Sequence, residues 1–185
     1  LKRTFLTLTM VSLIFLVAAF ALGLSIDDPK ARDEATQARV GWHINAAMGA
    51  LVFTAFVHAV VLTYFMGTGR WMEETSQAYQ LDRTFYVETK AIKYRTIPAM
   101  VACLFLLVIT AALGSAADPA SPISSRGGML GMAANTVHLV AASVTLGFHL
   151  LVTYWEYVAL DRNGAIIQRV MNEVRRIREE RGLPV

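Results

Sequence analysis

Four stretches of this 185-residue chain carry no charged side chain: Phe5 to Leu24, Val40 to Gly69, Thr96 to Ala117 and Gly127 to Trp155. A helix needs roughly 20 apolar residues to cross the hydrocarbon core of a bilayer, so all four are long enough to span it. They are continuous runs without period-2 alternation, which excludes a β-barrel and leaves helices. The sequence therefore predicts an all-α fold, a transmembrane four-helix bundle over 1–160 with spans at about 5–24, 40–66, 96–115 and 129–157. Hydrophobic residues make up 55% of the chain and charged ones 17%, which excludes a disordered polypeptide. Cys103 is the single cysteine, so a disulfide scaffold is excluded too. A net charge of +3 is too small to argue for nucleic acid, and the membrane lipid is the expected surrounding.

Lys2 and Arg3 precede the first run as they would in a signal peptide, but its length predicts a retained helix. Orientation follows from the cations. Thirteen Lys and Arg lie at the N-terminus, in the middle connection and in the tail, against four (Lys30, Arg32, Arg39, Arg126) in the other two connections. The positive-inside rule predicts cytoplasmic termini and outward-facing loops at 25–39 and 115–127. The tail, 161–185, carries Ile166, Ile167, Val170, Met171, Val174 and Ile177 at helical spacing, with Arg and Glu opposite. It reads as a cytoplasmic amphipathic helix that lies on the inner membrane face or docks a partner.

The halves resemble one another at an offset of about 90 residues. Leu22-Gly23 and Asp28-Pro29 answer to Leu113-Gly114 and Asp118-Pro119; Gly41, Asn45 and Thr63-Tyr64 answer to Gly131, Asn135 and Thr153-Tyr154. This predicts two tandem two-helix repeats related by an axis along the membrane normal, with the second and fourth helices equivalent. Asn45 and Asn135 are then expected to be buried and to bond between helices or to a histidine ring.

All four histidines fall in those two helices: His43 and His58 in the second, His138 and His149 in the fourth. Ionisable residues inside a bilayer are costly and point to function. At 100° per residue, His138 and His149 differ by about 20° and His43 and His58 by about 60°, so each helix aims two imidazoles to one side. Two parallel helices offering imidazoles at two depths suit a haem iron, which takes one axial ligand on each face. Small neighbours, Ala46, Ala47, Gly49, Ala59, Ala141, Ala142 and Gly147, leave room for a flat ring.

These residues resemble the di-haem b-type cytochromes, notably the haem-bearing bundle of the cytochrome b of bc-type complexes. The likeness is architectural and covers 1–160. It implies that His58 and His149 hold the iron of an inner haem b and His43 and His138 that of an outer one. It also implies electron transfer across a bacterial inner membrane, to or from quinone, with a partner redox subunit. The spacing departs from the family: 15 residues separate the histidines of one helix and 11 those of the other, about 22 and 16 Å of rise. The expected consequence is an outer pair out of step by a turn, with Met48 as an alternative ligand facing His138. Arg39 and Arg126 are candidates for the outer haem propionates, and Arg95 with Lys93 and Arg70 for the inner ones. Glu156 reads as an interfacial carboxylate, and Trp42, Trp71, Trp155, Tyr64, Tyr154 and Tyr157 as an aromatic belt. No phosphate loop, nucleophile triad, CxxC pair or dinucleotide fingerprint occurs, so no catalytic residue is assigned and electrons would come from a partner. Two other readings compete: a structural or chlorophyll-type pigment-binding subunit of a respiratory or photosynthetic complex, and a small proton-coupled transporter using the histidines as relays.

Overall fold

The computed structural model describes residues 2–125 and 128–184, and Arg126 lies outside them. Four helices make the fold: α1 (Lys2–Leu24), α2 (Glu34–Tyr79), α3 (Arg83–Ala117) and α4 (Ala134–Glu180). Each contains a stretch long and apolar enough to cross a membrane. α1 packs chiefly on α2 and α3 on α4, while α2 and α4 face each other across the interior. The outer surface is apolar, with Met10, Ile14, Val52, Phe56, Phe105, Val108 and Val144 exposed. The interior holds Ser12, Thr54, His58, Thr145, His149 and Glu156 beside Phe5, Val57, Val61, Phe65 and Val152. Polar groups inside and hydrocarbon outside is the distribution a bilayer selects.

The fourth helix begins later than its expected 129. Met129 and Met132 exchange backbone hydrogen bonds of 2.8 and 2.9 Å around Leu130 and Gly131, both at positive φ, and helix starts only after this turn. The middle connection is shorter than expected. α2 runs 46 residues, about 69 Å at 1.5 Å per residue, roughly twice the hydrocarbon thickness. Only Gln80, Leu81 and Asp82 separate it from α3.

α4 passes residue 160 without a break, so the segment expected as a separate tail helix continues it as far as Glu180. Instead of lying apart, Ile166 and Val170 are buried against Met72 of α2, with Phe85 and Tyr86 of α3 packed alongside. The three long helices thus extend together beyond their apolar stretches as a stalk. Asn163 donates to Thr68 Oγ1 at 3.2 Å, Arg178 donates to the Tyr79 hydroxyl at 2.9 Å, and Arg169 pairs with Glu88.

Asp82 starts α3: its Oδ1 accepts from the Thr84 backbone N–H at 2.8 Å and the Thr84 hydroxyl at 2.7 Å. Those donors hold its carboxyl below the ordinary value of 3.8. A lowered folded-state value means the cap contributes above 3.8 and is lost as pH falls through the depressed value. Asp82→Ala is therefore expected to raise amide exchange in the α2–α3 turn at neutral pH. The same variant should lack the loss of protection, corrected for the intrinsic pH dependence of amide exchange, that is expected of the native chain on acidification below that range. Unchanged exchange in Asp82→Ala at neutral pH would show that the cap contributes nothing.

Candidate functional site

The structure brings all four histidines to the interface of α2 and α4. The ring centres of His43 and His138 stand 6.2 Å apart with planes at 82°, and those of His58 and His149 stand 5.6 Å apart at 76°. In each ring Nδ1 already has a partner. His43 Nδ1 lies 2.8 Å from the Ala19 carbonyl and His138 Nδ1 3.1 Å from the Thr110 carbonyl. A carbonyl can only accept, so Nδ1 carries the proton in both rings and Nε2 keeps its lone pair. His58 donates from Nδ1 to Glu156 Oε1 at 2.7 Å, and His149 Nδ1 lies 3.8 Å from Cys103 Sγ. His58 Nε2 is buried with no partner among the described residues.

Two glycines fit the outer rings into place. A Cβ on Gly23 would stand 3.0 Å from His43 Cε1, and one on Gly114 3.0 Å from His138 Cε1. These positions are hydrogen where any other residue has carbon, which lets α1 and α3 approach the imidazoles closely enough to offer their carbonyls.

Two sets of contact residues recur along the chain, each at its own offset. Ala19 and Thr110, Gly23 and Gly114, and Ser12 and Cys103 are all 91 residues apart, whereas His43 and His138, and Thr54 and His149, are 95 apart. The Ser12–Thr54 hydroxyl bond of 2.7 Å in one helix pair takes the place of the Cys103–His149 contact in the other. His43 and His138 thus share the offset of Thr54 and His149. His58 falls four residues outside that offset from His149, yet its ring centre stands 5.6 Å from that of His149. Met48 does not face His138: it is 59% exposed on the apolar surface.

Other expectations change as well. Asn45 and Asn135 are exposed, and Asn135 Oδ1 accepts from the Thr136 N–H at 2.9 Å instead of bridging helices. Glu156 is wholly buried, on His58. Arg39 is spent on the Ser25 and Ala35 carbonyls at 3.1 and 3.4 Å, fastening the α1–α2 connection. Arg95 is exposed on α3. Arg70 is paired with Glu74 at 2.8 Å beside an open groove of about 480 Å³ that Lys93 also lines. Trp42 and Trp155 are exposed near opposite ends of the spans, as a belt requires.

Sequence reasoning missed Cys103, Ser12 and Thr54. The 91-residue offset, had it been separated from the 95-residue one, would have aligned Ser12 with Cys103. Glu156 was legible as well: it follows His149 by seven residues, two turns along the same helix face.

A cavity of about 90 Å³ adjoins the outer pair, walled by Leu16, Ala19, Ala47, Leu107 and Ala142. Ligand pockets run to about 300–1,000 Å³, so this is the seed of a site and not a finished chamber. Its walls are short side chains and leucines. Comparison with protein-family models, with curated proteins and with solved structures gives no match.

Proposed function

We propose that this chain is a haem-bearing electron carrier of the membrane, with His43 and His138 as the axial ligands of an outer b-type haem. The observation that carries this reading is the state of those two rings. Both have Nδ1 committed to a backbone carbonyl, and their centres stand 6.2 Å apart. Two imidazoles bound to one metal at about 2 Å from each nitrogen have ring centres roughly 6 Å apart. A donated Nδ1–H is the usual support of a metal-bound imidazole, since it fixes the ring and raises its basicity. Haem supplies reversible one-electron chemistry; the chain supplies ligation, a low dielectric and position. Seating the macrocycle requires the bundle to open at the alanine- and leucine-walled cavity.

The matched 91- and 95-residue offsets support descent of the two hairpins from one, placed in parallel about an axis between α2 and α4. With the cation count, this reading puts both termini in the cytoplasm of a bacterial cell and the His43–His138 layer toward the outside. Quinone and a partner redox subunit are the exchange partners that fit a chain without a catalytic domain. A pigment-binding subunit needs only one histidine per pigment, and two rings facing each other across the interior argue against it. A proton-coupled transporter would need a polar path along the whole interior; hydroxyls line the layers between the histidine pairs, but Val61, Phe65 and Val152 pack the interior beyond His58 and His149.

The test is a dithionite-reduced minus oxidised spectrum of detergent-purified protein from haem-replete cells, with a pyridine haemochrome count. The native chain is expected to show a b-type spectrum, His138→Ala to lose the outer haem, and Gly114→Val to lower its occupancy by displacing the His138 ring without removing a ligand. Absence of haem from the native chain, or a count unaltered in His138→Ala, would overturn the reading.

A further inference from the structure

The inner layer differs from the outer one in what surrounds its imidazoles. His58 on α2, Cys103 on α3 and His149 on α4 are all buried, and their ligating atoms lie within 4.8 Å of one another. Cys103 Sγ is 3.8 Å from His149 Nδ1. His58 Nε2 is buried with no partner among the described residues, while Nδ1 on the other side of the ring is held by Glu156. Glu156 Oε2 is buried without a partner among the described residues too.

We propose that His58, Cys103 and His149 bind a thiophilic transition-metal ion, zinc or copper, directly. Four arguments converge. Two imidazoles and one thiolate are a donor set that selects these metals over hard cations such as magnesium or calcium. The Glu156–His58 hydrogen bond is the carboxylate–histidine support that metal-bound imidazoles use, and it presents Nε2 as the free lone pair. The charges balance: binding releases the Cys103 proton to solvent, and the thiolate and the Glu156 carboxylate then neutralise a divalent ion. Without the ion Cys103 keeps its proton, so binding turns a cluster that holds a buried carboxylate into a neutral assembly, the form that a bilayer interior favours. Finally, the same layer of the other helix pair is closed by Ser12 and Thr54 at 2.7 Å. A pair of hydroxyls is enough to close a layer; a thiol and an imidazole add ligands.

The site is independent of the outer haem: it uses other side chains at a different depth, and either can fail alone. The experiment uses the full-length protein in detergent, expressed with zinc and with copper in the medium. Elemental analysis is expected to find about one equivalent of one of the two metals per chain, which identifies it. In metal-stripped protein, Co²⁺ serves as the spectroscopic probe. The native chain should develop a sulfur-to-cobalt charge-transfer band that Zn²⁺ bleaches. Cys103→Ser should lose that band, and Glu156→Gln should weaken Co²⁺ binding about 10–100-fold, as loss of a ligand's support does. The outer haem spectrum and the far-ultraviolet circular dichroism of each variant report whether it is folded. A chain that binds two haems, both retained in Cys103→Ser, and no zinc or copper overturns the proposal and makes the inner layer a second haem site. Metal at one equivalent in a chain without haem supports it and overturns the outer assignment instead. A folded native chain that yields neither metal nor the cobalt band also overturns it.

Discussion

Replacing His58 with leucine in the metal-free protein is expected to destabilise it by about 3–5 kcal/mol, whereas Glu156→Leu should cost less. The difference follows from what each change leaves behind. Without His58, the Glu156 carboxylate loses its one hydrogen bond while Oε2 already has none, and the residue is wholly buried. It then has either to remain as an unpaired anion in hydrocarbon or to take up a proton, and both raise the folded state. Without Glu156, a neutral imidazole is left with an unmet Nδ1–H, a penalty of about 1–3 kcal/mol. The double replacement His58→Leu with Glu156→Leu removes both demands and fills similar volume with carbon, so it should recover most of the loss. Equilibrium denaturation in detergent of the four proteins measures the coupling directly. Additive single effects would show that the pair is not coupled, and a native-like His58→Leu would show that Glu156 carries no burial penalty.

Much of the membrane fold is legible in the sequence because the bilayer imposes a coarse rule, and the four uncharged runs obey it. The histidines were legible for the same reason: an ionisable side chain within such a run is conspicuous. What the runs do not encode is where a helix stops. Charge-free length marks the limit of hydrocarbon, not of hydrogen bonding. The 67–79 and 83–95 segments are charged on one side and were read as a connection, although Met72, Phe85 and Ile92 supply the apolar stripe that binds α4. The register between α2 and α4 was hidden for a related reason. A single offset of 90 residues aligns Asn45 with Asn135, which both turn outward. The contacts that determine depth, His43 with Ala19 and His138 with Thr110, run to backbone carbonyls, and a carbonyl leaves no mark in a sequence. Cys103 was passed over because one cysteine in an apolar helix is ordinarily a small hydrophobe; only its distance from His149 gives it a role.

Val170→Asp is expected to unfold the stalk and leave the membrane bundle standing. Val170 is fully buried, and the core it shares contains only two other buried residues, Met72 and Ile166. A carboxylate there has no cation to meet, since Arg169 is already turned to Glu88. An uncompensated buried charge costs about 3–5 kcal/mol, and so small a core has little stability in reserve. At RT of about 0.59 kcal/mol this raises the open population of the α4 extension more than a hundredfold. Limited trypsin digestion reads that population, because Arg169, Arg175, Arg176 and Arg178 are helical and become substrates only when the segment opens. Glu88→Gln provides the contrast: the Arg169–Glu88 side chains are 54% and 46% exposed, so losing that pair should cost under about 1 kcal/mol. Cleavage should therefore accelerate sharply in Val170→Asp and barely in Glu88→Gln. The cofactor spectrum and the denaturation midpoint of the bundle should stay unchanged, because the histidine layers belong to the core around Val57, Phe65 and Val152, which meets the stalk core at half-buried Ile92. Equal protease resistance in Val170→Asp would show that the extension is not held by this core. Collapse of the whole protein would show that stalk and bundle form one cooperative unit.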